Sequence, residues 1–489
     1  MLEASFLMPI YRKERSHPGY RKEMNAFSKK VKIHSNRHRL THFNEFQGGT
    51  FLKKLMVLMI VLAMLLSACG GGGKSTASTD NKGSGGDNGK PVELQFYFPV
   101  AVGGPITKII DGLAQDFEKE NPNIKIKPVY GGSYQDTMTK VATAVQGNNS
   151  PDMAVLLSTD LYTLLSMKAI EDLTPRFSKD YFGNFYEAFL GNTKSGDTVW
   201  SVPFQRSTIV LYYNKDMFKE AGLDPEKAPK NWNELREAAA KLTKTDASGK
   251  VSQWGIEIPS TGYQYWMLQA LSLQSGDNIM SGDGKQVFFN KPHVEEALQF
   301  YMDLGQKDKV MPNGAIEWAT VPSDFISGKT AMMFHTTGNL TKVKTDAKFN
   351  FGVAFLPANK QFGSPTGGGN LYVFKNIPEE RKKAAVKFIE FLTKPERVAQ
   401  WSIDTGYVGT TKAAYETDQL KKYIESFPQA KVARDQLEHA DSELSTYQNG
   451  QVTKLFNDNI QAALLGKMTA KEALQKSQEA ADGILKNFK

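Results

Sequence analysis

The feature that most narrows the fold of this 489-residue chain is a repeated change of hydrophobic period. Val92, Leu94, Phe96 and Phe98 recur at every second position, the pattern of a half-buried strand. After Gly103-Gly104-Pro105, the residues Ile106, Ile109, Ile110, Leu113 and Phe117 fall on one face of a helix with proline at its first turn. Asn121-Pro122-Asn123 breaks that helix, and Ile124 and Ile126 return to a period of two. Strand, helix, strand opens an α/β unit. The theme recurs: strands are expected at 153–157, 209–213 and 351–356, and helices at 232–242, 294–304, 384–392 and 459–465. No internal repeat of the kind that marks a solenoid, with a period of about 20 to 50 residues, interrupts it.

Upstream of residue 91 the sequence is of another kind. Lys53 and Lys54 precede an unbroken apolar run at 56–66, which ends in Leu66-Ser67-Ala68-Cys69-Gly70. A basic start, a short apolar core and small residues at the cut describe a secretory signal, and the run is well short of the roughly 20 residues a spanning helix needs. Cys69 is the chain's one cysteine, which excludes an intramolecular disulfide and a cysteine-rich zinc site. The competing reading, a short buried helix ending in cysteine, leaves unexplained the Gly-, Ser- and Asn-rich segment 70–90, which reads as a flexible tether.

The net charge of +8 belongs to this leader. Residues 1–68 carry 12 basic and 4 acidic side chains, and the remainder balances at 48 against 48. Nucleic acid is therefore not expected as a partner of the working domain. Residues 1–51 form a doubtful extension ahead of the signal at 52–68. Gln47-Gly48-Gly49 is encodable as a ribosome-binding sequence and Leu52 as an alternative start codon, which would begin translation at position 52; the competing reading is a real, unstructured extension.

Catalytic signatures are missing. There is no G-x-S-x-G, H-E-x-x-H, phosphate-binding G-x-x-x-x-G-K-[ST] or helix-opening G-x-G-x-x-G motif, and His293, His335 and His439 are scattered. No cofactor, no metal and no catalytic residue is expected. Ser166-Met167-Lys168 is read as a chance pairing rather than a nucleophile and its base.

Five motifs occur in order: Gly147-Asn148-Asn149-Ser150-Pro151-Asp152, Pro203-Phe204-Gln205-Arg206-Ser207-Thr208, Leu211-Tyr212-Tyr213-Asn214-Lys215-Asp216, Gly328-Lys329-Thr330-Ala331-Met332-Met333 and Thr405-Gly406-Tyr407. Over essentially all of 91–489 the chain resembles the extracellular solute-binding proteins of ATP-driven (ABC) importers, family 1, and among them the glycerol-3-phosphate-binding members. Leu66-Ser67-Ala68-Cys69 likewise resembles the lipobox of bacterial lipoproteins, whose cysteine is acylated to become a membrane anchor.

The resemblance implies an α/β, two-lobed periplasmic-binding-protein-like fold (type II) with three hinge crossings. The crossings are expected at 201–206, 329–334 and 366–371. The first lobe is expected to comprise 91–202 plus 335–366, and the second 203–334 plus 367–489. It also implies ligand contacts: Tyr134 after its Gly-Gly turn, the hydroxyls of Ser207 and Thr336 (or Thr337), the backbone of Gly368, the aromatic Trp232, and Tyr407. Tyr134 and Trp232 also read simply as core aromatics. Two departures bear on the ligand. Ser158, with Asp160 two residues on, stands where the family has a hydroxyl-binding glutamate, and Thr453-Lys454 stands where it has a phosphate-binding arginine. Arg206 offers a replacement for that arginine, or a salt bridge at the hinge.

The expected function is that of a lipid-anchored, monomeric receptor on the extracellular face of a bacterial membrane, Gram-positive in character, which delivers a small polyhydroxylated solute to ABC permease subunits. Glycerol 3-phosphate or a glycerophosphodiester is the first expected ligand. A sugar or oligosaccharide is the second, served by the aromatic group Tyr263, Tyr265 and Trp266 at the cleft mouth. A lipid-anchored surface hydrolase and a ligand sensor for a membrane kinase are the alternatives from other classes.

Overall fold

A computed structural model of the chain describes residues 91–488. The expected signal, tether and lipidated Cys69 lie outside the described residues. Eight strands form one sheet: β1 (Val92–Phe98), β2 (Ile124–Tyr130), β3 (Met153–Leu157), β4 (Val202–Asn214), β5 (Met332–Thr336), β6 (Phe351–Ala354), β7 (Ser364–Val373) and β8 (Ala440–Asp441). Its spatial order is β6-β4-β7-β3-β1-β2, with β5 beside β4 and β8 beside β7. β1 runs parallel to both β2 and β3, as two consecutive crossover units require, and β7 enters antiparallel to β3 and β4.

The opening unit forms as its periodicity predicts. Helix α1 (Ile106–Glu120) buries Ile106, Ile110 and Phe117 against β1 and β2, and its end is closed by the Asn121 N–H bonding back to the Phe117 carbonyl. Helix α2 (Tyr134–Gln146) begins with a reciprocal cap. Ser133 Oγ accepts from Asp136 N, and Asp136 Oδ2 accepts from Ser133 N. Such a cap contributes about 1 kcal/mol and sets where the first turn, with Tyr134, begins.

Two long strands create the two-lobed form. The first part of β4 pairs with β7, from Val202↔Leu371 to Thr208↔Thr366, while its last part pairs with β5 and β6. All thirteen residues of β4 are buried, because it runs through both halves of the molecule. One hydrophobic cluster gathers β1, β2, α1, Phe204, Leu371 and a helix at Glu379–Leu392. The other gathers residues of 209–356 and of 427–485, with Phe189 and Val408.

These clusters revise the expected lobe boundaries. Leu340, Val343, Phe351 and Leu356 pack with the second lobe, whereas Val373, Phe388, Trp401 and Tyr407 pack with the first. Segment 335–366 therefore belongs to the second lobe, and 371–407 to the first. Two crossings fall where expected, in β4 and β7. The segment 329–334 is not a crossing: Trp254 N bonds the Lys329 carbonyl, and Met332, Met333 and Phe334 sit within the second cluster. The third passage follows Tyr407, the last member of the first cluster, and leads through Val408 to Phe427 in the second. Among the described residues no helix is long and apolar enough to cross a membrane.

Candidate functional site: a cavity between the lobes

The two crossing strands form the floor of a cavity where the lobes meet. Ser207 and Gly368 line it from β4 and β7; Ala101, Val102, Tyr134, Leu157 and Tyr407 line it from the first lobe; Tyr263, Trp266, Trp318, Thr336 and Glu443 complete it from the other side. Its volume is about 30 Å³, room for a water or two, and it shares the walls Ala101, Val102, Tyr263 and Trp318 with an outer cleft of about 490 Å³. The lobes are thus drawn together: Trp318 Nε1 lies 3.4 Å from the Ala101 carbonyl, and Tyr263 Oη lies 3.4 Å from Gln135 Oε1.

The Gly367-Gly368-Gly369 run of β7 is what admits the walls. A Cβ at 367 would lie 2.3 Å from the Trp266 ring, and one at 369 would lie 2.9 Å from Tyr134 Oη. At 368 it would lie 2.0 Å from the Gln205 carbonyl, and the backbone there holds φ +89, which only glycine adopts without strain. Side chains from both lobes therefore reach the same stretch of bare backbone.

Gln205 ties two of the tyrosines together, donating from Nε2 to Tyr134 Oη at 2.8 Å and to Tyr407 Oη at 3.2 Å. Burial pushes both phenols well above their ordinary range, so both stay protonated and able to donate. Trp266 is anchored by Nε1 on the Thr366 carbonyl at 3.0 Å, and Thr336 Oγ1 accepts from Gly338 N at 3.2 Å. Thr337 Oγ1 is buried without a partner.

Five of the expected contacts, Tyr134, Ser207, Thr336, Gly368 and Tyr407, thus come together at one cavity. The other four stand elsewhere. Ser158, buried, and Asp160, half-buried, sit in the turn after β3, with Ser158 Oγ and Asp160 Oδ2 unpartnered; of that corner only Leu157 reaches the cavity wall. Burial lifts Asp160 to about 7. Arg206 is not part of the cavity wall and is wholly buried, with Nη1 3.1 Å from Asn370 Oδ1, Nη2 2.9 Å from Thr366 Oγ1, and its guanidinium 5.2 Å from the Phe189 ring centre. It fastens β4 to β7 instead of lining the cavity, and burial lowers it to about 10. Trp232 opens the helix Trp232–Leu242 far down the second lobe, stacked 3.9 Å from Phe300 and bonded through Nε1 to Gln274 Oε1 at 2.7 Å. Its packing role prevails over the ligand role that resemblance implied. Lys454 pairs with Asp458 in solvent at 2.7 Å.

Of the aromatic group, Tyr263 and Trp266 line the cavity. Tyr265 instead donates to Glu443 Oε1 at 2.7 Å. Glu443 is the residue that sequence reasoning missed. It follows β8 and brings a carboxyl to the cavity from the far end of the chain; burial pushes it up to about 8, against the opposing pull of Tyr265 and Arg206. Oε2 keeps a free, buried valence. Trp318 was missed as well. Neither residue lies in a periodic pattern, so no local signal marks it. Among the described residues no group of three or more His, Cys, Asp or Glu is placed to hold a metal.

A two-lobed α/β receptor with a closable cavity between its lobes is the class these features define. Residues 112–429 match the family of bacterial extracellular solute-binding proteins, and the chain belongs to that family. The sn-glycerol-3-phosphate-binding periplasmic protein UgpB of Salmonella paratyphi A is 32% identical over 404 residues, covering 79% of this chain and 91% of the relative. UgpB of Escherichia coli K12 is 30% identical over 403 residues, with the same coverage. Among solved structures, UgpB from Mycobacterium tuberculosis in complex with glycerophosphocholine superposes with a TM-score of 0.71 at 23% identity, over 83% of this chain and all of that one. The cyclic alpha-maltosyl-1,6-maltose binding protein of Arthrobacter globiformis gives 0.70 at 23%, over 81% and all of that chain. Members of the family capture solutes for ABC importers and are not enzymes, so the hydrolase alternative falls.

Proposed function

We infer that this protein is a lipid-anchored receptor that captures a small polyhydroxylated solute between its lobes, at the interlobe cavity widened by their parting, and presents it to ABC permease subunits. Glycerol 3-phosphate or a glycerophosphodiester is the first ligand. The observation that carries this reading is the composition of the cavity: aromatic faces from both lobes, the hydroxyls of Ser207, Thr336, Tyr134 and Tyr407, and the carboxyl of Glu443, with no cationic side chain on the wall. Adjacent hydroxyls of a glycerol end suit Glu443, which stands in for the carboxylate the family's motif places near position 158. The phosphate of such an ester then lies toward the outer cleft, where Lys342 and the start of α2 are found. The curated relatives' binding of glycerol 3-phosphate supports the same reading.

A neutral sugar or oligosaccharide is the second reading, favoured by the rings of Tyr263, Trp266 and Trp318 grouped along one wall. Calorimetric titration of the protein with glycerol 3-phosphate, glycerophosphocholine and a panel of sugars separates the two. Heat with either ester supports the first reading, and heat with sugars alone transfers the assignment to the second.

Anchoring through Cys69 places the receptor on the outer face of the membrane of a Gram-positive cell, as a monomer. Incorporation of labelled palmitate into the expressed protein, lost in Cys69→Ser, is the expected result. Label retained in that variant would sink the anchor.

A further inference from the structure

A chain of hydrogen bonds begins behind the cavity wall and ends in the opposite lobe. His335, on β5, is fully buried, and its ring lies 4.0 Å from that of Trp318 at 36°. His335 Nε2 is 3.0 Å from the Trp318 carbonyl oxygen, and Nδ1 is 3.0 Å from Asn339 Nδ2. Asn339 Oδ1 accepts the Gly103 N–H of the first lobe at 3.2 Å.

The direction of every bond in this chain is forced. A carbonyl oxygen only accepts, so Nε2 carries the proton and Nδ1 is the acceptor. Asn339 must then turn its amide nitrogen to the ring, which leaves its oxygen for Gly103. The reversed amide would set its NH₂ against the Gly103 N–H. Burial holds His335 neutral, down at about 4, which keeps Nδ1 free to accept.

We propose that His335 and Asn339 are positioning residues for solute capture: a polarised relay that sets the Trp318 wall and registers lobe closure by receiving the Gly103 N–H. The proposal rests on the reading of the interlobe cavity as the solute site. Gly103 and Ala101 belong to the loop between β1 and α1, so the same loop that lines the outer cleft is the one fastened by Asn339 and Trp318. Closing the lobes makes these bonds and separating them removes them, which is the differential contact that a two-state hinge needs.

Amide hydrogen exchange at Gly103, measured on the full chain without added solute, tests the relay. His335→Phe keeps a ring against Trp318 but removes both hydrogen bonds, whereas His335→Gln offers an amide N–H to the Trp318 carbonyl and an oxygen to Asn339. His335→Phe and Asn339→Leu are expected to speed Gly103 exchange by roughly five- to tenfold, the share of one net hydrogen bond. His335→Gln should stay within about twofold of the wild type. The Val408 amide, bonded to the Arg206 carbonyl in the crossing, should not change in any of them.

Wild-type exchange in both His335→Phe and Asn339→Leu overturns the relay. So does protection kept by His335→Phe and lost by His335→Gln, since ring volume alone would then matter. If His335→Phe does not fold, Asn339→Leu, which keeps the imidazole, decides. A further arm adds glycerophosphocholine, which should slow Gly103 exchange in the wild type. Failure of that arm alone counts against the phosphodiester ligand and not against the relay, because the comparison of variants contains no solute.

Discussion

Arg206 and Glu443 influence each other's ionisation beneath the interlobe cavity, while each keeps a buried atom without a partner, Nε in the one and Oε2 in the other. The guanidinium holds the crossing strands, and the carboxyl faces the cavity. The guanidinium draws the carboxyl toward ionisation, but burial outweighs that pull and Glu443 keeps its proton up to about 8.

Replacing Arg206 with methionine should therefore act first on stability. It strands the buried Asn370 Oδ1 and Thr366 Oγ1 and removes the cation that draws Glu443 toward ionisation. A loss of about 2 to 6 kcal/mol in urea unfolding is expected, about 1 to 3 for each stranded buried acceptor, with ligands weakened regardless of their charge. Unchanged stability together with a selective loss of anionic ligands would instead place the guanidinium on the solute.

The acidity of the buried carboxyls predicts how stability follows pH. Burial raises Glu443 from 4.5 to about 8 and Asp160 from 3.8 to about 7, so the folded protein keeps protons that the unfolded chain has released. Stability from these groups is complete below their unfolded values and is lost as pH rises through about 7 to 8. The solute-free protein should melt at a lower temperature at pH 8 than at about pH 5, and Glu443→Gln should flatten the slope. A melting temperature that climbs across this interval contradicts the assignment.

Gly368→Ala places a Cβ against the Gln205 carbonyl at a positive φ. A destabilisation of about 2 kcal/mol or more is expected, along with weakened solute binding, because Gln205 also holds Tyr134 and Tyr407. Gly183→Ala, where a Cβ meets nothing within 4 Å, should be nearly neutral. Equal effects of the two substitutions in denaturant titrations would show that the crossing tolerates a side chain.

Two tryptophans should separate cleanly. Trp232→Ala opens a hole beside Phe300 and should cost about 3 to 5 kcal/mol, with the ranking of solutes preserved. Trp266→Ala should weaken solute binding at least tenfold, a change of about 1.4 kcal/mol. Calorimetry and thermal melts on both variants give the four numbers needed, and a solute ranking altered by Trp232→Ala would return that residue to the site.

Much of the fold is legible along the chain because it is local. The alternation through 92–98 and the helical face of 106–117 each involve neighbours within a few positions, and both appear where their spacing puts them. Helix α3 (Gln264–Ser275) is the counter-example: all twelve of its residues are buried, so it carries no apolar stripe to reveal it.

The sequence by itself determined an α/β chain with a family's motifs in order, and its resemblance to that family pointed to Tyr134, Ser207, Thr336, Gly368 and Tyr407, five residues that the fold brings to one cavity. Tertiary structure alone decided which lobe each segment joins, since packing rather than spacing assigns 335–366 and 371–407. It alone brought Glu443 and Trp318 to the cavity, turned Arg206 into a fastening between strands, and left Trp232 in a distant core. Such outcomes depend on contacts between residues 100 or more positions apart, as between Arg206 and Asn370 or Gly103 and Asn339, and no periodicity in a chain encodes them.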